Sequence, residues 1–206
     1  MAFPPIVSAT VQSAALAATS NLLAQGLTAY RNEAPLIIDW TPVFQFVLYA
    51  LVNVPPNFLW QDFLESTFPS APAPSPGPDT QDAKARPREA AGAAPPKLHL
   101  GNTAAKLALD QTVGAAANTV LFSVFMHSLQ AAMARPAGGG YGRVDWAQVA
   151  AASRAEFVPL LVAGWRLWPL VSLVNFAFVR SVPARNLVAA LAGVAWGIYV
   201  SLVAAR

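Results

Sequence analysis

The chain has 206 residues, 55% of them hydrophobic and only 11% charged; soluble domains carry about 25% charged residues to wet their surface, so a fully water-exposed globule is excluded. The net charge of +3 comes from 13 Lys and Arg scattered along the chain rather than gathered in a stripe with interleaved aromatics, which excludes nucleic acid as a partner. With no cysteine, disulfides, thiolate metal sites and cysteine nucleophiles are excluded as well.

No basic residue precedes Arg31, so the opening stretch is expected to be neither a secretory signal nor a mitochondrial presequence. The closing VAAR is not a peroxisomal address tripeptide, and internal segments are expected to direct insertion. Apolar stretches of about 20 residues, the length that crosses a bilayer, fall at 6–29, 42–64, 103–133, 165–182 and 186–204. The first is rich in Ala, Ser and Thr, the small residues that let helices approach closely in lipid, and carries Asn21, Gln25 and Thr28 on one side.

The second stretch places Gln45, Tyr49, Asn53, Asn57 and Gln61 at every fourth position, a slanted polar stripe on one helix face. Asp62 and Glu65 close that stripe at the interface, and Pro55-Pro56 predicts a kink within it. The segment 69–97, dense in Pro and Ala with almost no large apolar residue, cannot offset its ordering entropy and is predicted to be a disordered loop within a single integral membrane domain, 1–206.

The third stretch opens with Lys106, Asp110-Gln111, Gly114 and Asn118. Lys106 and Asp110 can pair along the helix, lowering the cost of either charge in lipid; Arg166 and Arg185 are further candidate cations for Asp110. His127 reads as a packed or interfacial histidine. Pro136 and the glycines of 134–143 end this helix, and 145–163 reads as an interfacial helix or as the wet approach to the fourth span.

The fourth stretch begins with Trp165 and Trp168 around Arg166, an anchor at headgroup level. Pro169 falls in the first turn, where its missing N–H costs little, and Ser172 and Asn175 follow on the inward face. Lys and Arg are slightly more abundant on the N-terminal side of this topology, which tips that side towards the more positive compartment.

Three helices thus offer polar seams. Two readings fit them: interhelical glue, worth roughly 1 kcal/mol or less per contact, and the lining of a watered path. Candidate residues for the path are Asp110, Lys106, Gln111, Asn118, Asn53, Asn57, Gln61 and Asn175; intramembrane acids such as Asp110 are rare and usually functional. No nucleophile–base pair, metal-ligand spacing or phosphate loop competes, so neither enzymatic chemistry, metal nor cofactor is expected.

The C-terminal third carries a specific pattern: Trp165, Trp168-Pro169, Asn175-Phe176, Val179, Val182-Pro183, Arg185, then Trp196, Tyr199 and Ser201. It resembles the signature of the Mpv-seventeen/22-kDa peroxisomal membrane protein family. KLALDQ (106–111) and PPNFLWQDFLESTFP (55–69) are similar to that family's third- and second-helix motifs. The family's Gly-x-Gly-Asp and its His before the second-helix Trp are absent, replaced by ATSNLLAQ and NVPPNFLW, and Val179 is followed by Arg180 instead of Pro. The resemblance implies an all-α polytopic helical bundle of four to five spans in the mitochondrial inner membrane or the peroxisomal membrane. It implies channel-like activity for small solutes or ions that supports membrane and metabolite homeostasis, or alternatively a non-conducting scaffold. Its partners are then the lipid bilayer and, in a homo-oligomer, further copies of the chain.

Overall fold

A computed structural model describes residues 3–70, 99–134 and 142–204, the last six of these by backbone alone. Residues 71–98, which hold most of the expected disordered loop, and the side chains of Tyr199 and Ser201 lie outside the described residues. Every regular element among the described residues is helical: α1 (Pro5–Arg31), α2 (Trp40–Thr67), α3 (Leu100–Met133), α4 (Trp146–Gly164), α5 (Trp168–Phe178) and α6 (Val182–Ala204).

The helix ends follow from local chemistry. Pro5 starts α1, where a missing N–H leaves nothing unpaired. At its end Ala34 N–H reaches back to the Ala29 carbonyl at 3.0 Å, and Glu33 takes a left-handed φ of 49° to reverse the chain. Asp39 caps α2 by accepting from Thr41 N–H at 2.9 Å. Gln25 pins the connection from both sides, donating to the Asp39 carbonyl and accepting from its N–H, each at 2.8 Å. His99 Nδ1 caps α3 through Asn102 N–H at 3.1 Å, and Asp145 caps α4 through Ala147 N–H at 2.9 Å. Pro55 and Pro56 lie inside α2, which continues through them as one helix of 28 residues.

α1 packs between α2 and α6, α2 leans on α3, and α3 packs along α4; α5 sits over the start of α3 and beside α6. Gly197 of α6 lies against Ser20 of α1, whose hydroxyl donates to the Val194 carbonyl at 3.5 Å. Large apolar side chains such as Phe44, Leu51, Leu59, Val120, Val158 and Leu191 point outward. A face of that kind is stable against lipid, not water, and the chain is an integral membrane protein.

α1, α2 and α3 are each long and apolar enough to cross a bilayer alone. The fourth span differs from the expectation at 165–182. α5 has 11 residues, about 16 Å of helix, too short for a hydrocarbon core of about 30 Å. It reaches spanning length only with α4, across a break that bends the pair by 54°. The continuous apolar run hid this break; the turn over residues 165–167, with Trp168 opening the next helix, makes it. Residues 146–164, expected as an interfacial helix or a wet approach, form a full 19-residue helix against α3.

Candidate functional site

Two polar nodes occupy the seam of α2 and α3 near the end of the bundle where α5 turns into α6. The inner one centres on Asp110. Its Oδ1 accepts from Trp60 Nε1 at 3.2 Å and Gln61 Nε2 at 3.0 Å; its Oδ2 accepts from Ser172 Oγ at 2.6 Å and Gln111 Nε2 at 3.1 Å. Donors from α2, α3 and α5 therefore converge on one carboxylate. Gln111 also donates to Ser172 Oγ at 3.0 Å, while the side-chain oxygens of Gln61 and Gln111 are buried with no hydrogen-bond partner among the described residues.

The backbone is adapted to this node. Residues Asp110–Gly114 form a π turn inside α3, a widening often found at functional positions because it leaves a carbonyl available. Trp165 Nε1 donates to the Gln111 carbonyl there at 3.0 Å. Gly114 is required for close approach: a Cβ at that position would stand 2.8 Å from Trp60 Nε1. A cleft of about 390 Å³ between α3 and α5, lined by Ala104, Leu107, Ala108, Gln111, Trp165 and Pro169, reaches Gln111 from the surface.

The outer node is ionic, and it corrects the expected Lys106–Asp110 pair. Lys106, fully buried, places Nζ 2.7 Å from Glu65 Oε2 and also contacts Ser70 Oγ. Arg185, 1% exposed, brings Nη1 to 2.6 Å from the same oxygen as an ion pair without hydrogen-bond alignment. Its Nε donates to the Val179 carbonyl at 2.8 Å and the Asn175 carbonyl at 3.3 Å. Both cations stand over the Phe176 ring, Lys106 Nζ 5.2 Å and Arg185 Cζ 5.4 Å from its centroid, an arrangement favoured by the ring's quadrupole. Asn175 Nδ2 donates to the Arg185 carbonyl at 3.2 Å, and its Oδ1 is buried with no hydrogen-bond partner among the described residues. Asn175, Phe176 and Arg185 of the C-terminal pattern thus form one packed unit.

The remaining candidates separate. On α2, Gln45 contacts Met133 Sδ at 3.7 Å and Tyr49 packs edge-on against Phe122 at 5.2 Å. Asn53 Oδ1 is buried without a hydrogen-bond partner among the described residues. Asn57 and Asn118 are half-buried. Trp168 packs beside Gly164; Pro183 is exposed, and Trp196 is half-buried on α6. Arg166 is exposed, and Arg185 is committed to Glu65, so neither expected cation reaches Asp110.

Sequence reading missed three contacts. Glu65 was read as closing the stripe at the interface, but not as the partner of Lys106 and Arg185. Ser172 was placed inward, but its partner on another helix has no linear trace. The third is a cluster between α3 and α4, where Glu156 Oε2 meets His127 Nε2 at 2.9 Å and Ser123 Oγ at 3.2 Å. Among the described residues no three His, Asp or Glu side chains gather as metal ligands.

Residues 142–201 match the Mpv17 / PMP22 family model. A curated relative, PXMP2/4 family protein 3 of Dictyostelium discoideum, is 45% identical over 51 residues, 25% of this chain and 27% of that protein. The match therefore spans about a quarter of that relative's length. No solved structure matches. The segment so matched holds Trp165, Trp168 and the Asn175-Phe176 pair, gives Ser172 to the inner node and Arg185 to the outer one, and over it the chain is similar to the Mpv17 / PMP22 family.

Proposed function

We propose that the protein gives channel-like passage to small solutes or ions across an organellar membrane, supports membrane and metabolite homeostasis there, and carries out no enzymatic chemistry. The observation that carries this reading is the Asp110 node. A half-buried carboxylate with four neutral donors and, among the described residues, no cation is costly unless water or a passing ion shares it. The unpaired oxygens of Gln61 and Gln111 call for water in the same place, and the cleft that ends on Gln111 offers an approach. The peroxisomal membrane is the preferred compartment, on the family resemblance, with the mitochondrial inner membrane as the other; a homo-oligomer fits either.

One observation favours a second reading, a non-conducting scaffold. The donors on Asp110 come from three helices, so the node also serves as a clamp. Planar-bilayer recording of purified wild type and Asp110→Asn separates the two. A conductance whose ion selectivity shifts in the variant supports the channel. Silence from well-folded protein at every voltage leaves the scaffold.

A further inference from the structure

Two pairs of tryptophans bracket two helices by the same length. Trp40 and Trp60 stand about 30 Å apart along α2, and Trp146 and Trp165 about 28 Å apart along α4. Trp60 and Trp165 lie at one level, because their indoles donate to the neighbouring residues Asp110 and Gln111, at 3.2 and 3.0 Å. Trp40 and Trp146, 65% and 64% exposed, flank the opposite end, where Gln45 touches Met133, the last residue of α3. Tryptophan favours the membrane–water boundary, and the hydrocarbon core is about 30 Å thick.

We infer that these two girdles mark the limits of the hydrocarbon, that α4 is the fourth crossing, and that α5 lies outside it as a surface helix resting on an anionic phospholipid leaflet. α4 makes this crossing although it is not apolar enough to cross alone and carries exposed Arg154 and Glu156 at its middle, Glu156 held by His127 and Ser123 of α3. With its 54° turn from α4, α5 rises only on the order of 10 Å along that axis, comparable to one headgroup layer. Its inner face holds Ser172, Asn175 and Phe176, while Leu170 and Phe178 are 63% and 79% exposed with Leu173 between them. An apolar stripe of that kind settles at the acyl–headgroup boundary. Arg166 and Arg180, exposed at the two ends of α5, form no ion pair among the described residues; they suit lipid phosphates, for which guanidinium has matching geometry. Exposed Asp62 is the opposing charge on that surface, and Glu65 is already shared by two cations. The two nodes then sit at and above the boundary rather than at mid-bilayer.

Because the chain has no native cysteine, single cysteines at Ala155, Leu173 and Phe178 can each carry a nitroxide in the full chain, in vesicles of phosphatidylcholine with a minor fraction of phosphatidylserine. Oxygen and nickel accessibility should place the label at 155 near the bilayer centre and those at 173 and 178 at headgroup depth. A label at 173 as deep as that at 155 overturns the placement. Spin-labelled lipids should show a several-fold preference of the wild type for phosphatidylserine over phosphatidylcholine, lost in Arg166→Gln/Arg180→Gln. An unchanged preference in that variant, or none in the wild type, overturns the phosphate contact.

Discussion

Lys106 Nζ lies 2.7 Å from Glu65 Oε2 on the neighbouring helix, while Asp110, one turn further along its own helix, is held by neutral donors alone. Side chains on a helix lean towards its N-terminus, so the long lysine stem covers the turn before it and arrives at the end of α2. Acid and base that a linear spacing of four would pair are thereby sorted into two nodes. One is ionic and fully committed; the other is a carboxylate without a counter-cation.

Removing the shared acid should be the most damaging single change in the outer node. Glu65→Gln leaves Lys106 and Arg185 buried with no carboxylate between them. A broken buried pair costs about 3–5 kcal/mol; Glu65 is 27% exposed, so about 3 kcal/mol is expected. Equilibrium unfolding in mixed micelles measures it. Lys106→Met combined with Glu65→Gln should cost less than the two singles added, because the pair is coupled.

What the sequence made legible was periodicity. Spacing of four predicted the stripe on α2, and Pro169, Ser172 and Asn175 stand as their helical positions require. Register between helices was hidden, since nothing local sets which residue of α2 faces Asp110 across the intervening 71–98. The break at 165–167 was masked by an apolar run that hydropathy alone reads as continuous. Glu156 could not be matched to His127 and Ser123, because it sits in a stretch whose charges suggested an interface rather than a helix against α3.

Glycine substitutions should divide by what their Cβ meets. Gly114→Ala would drive a methyl to 2.8 Å from Trp60 Nε1, displacing the indole from Asp110, at about 1–3 kcal/mol. Gly26→Ala in α1 meets nothing within 4 Å and should be neutral or stabilising by up to about 1 kcal/mol. Thermal unfolding of both variants in one detergent, with tryptophan emission as the probe, should show the Gly114 variant alone red-shifted.

The α3–α4 contact should respond unequally to its two ends. Ser123 is 2% exposed and gives its hydroxyl to Glu156, so Glu156→Ala strands a buried donor at about 1–2 kcal/mol. His127→Ala removes a partner whose side chain is 30% exposed and should cost about 1 kcal/mol or less. Equal losses in a denaturant titration would mean that Ser123 contributes nothing.

Asp110 is the position where structure and function can be separated most cleanly. Asp110→Asn removes the charge and replaces one acceptor oxygen by an NH₂ group facing two donors. Gln61 and Gln111 each carry a buried side-chain oxygen with no partner among the described residues. Rotation of either amide by half a turn presents that oxygen to the new NH₂, so the node can re-form. The expected loss is about 1 kcal/mol or less, the scale of one neutral hydrogen bond. Asp110→Leu offers no acceptor and strands Trp60, Gln61, Gln111 and Ser172 together, at about 3 kcal/mol or more. If Asp110 serves passage, Asp110→Asn should shift ion selectivity in a reconstituted bilayer while its unfolding midpoint stays near that of the wild type. If it serves only as a clamp, Asp110→Asn should conduct as the wild type does, and Asp110→Leu should fail through lost folded protein. A large drop in stability for Asp110→Asn would show that the two glutamine amides cannot rotate and that the carboxylate charge itself holds the node.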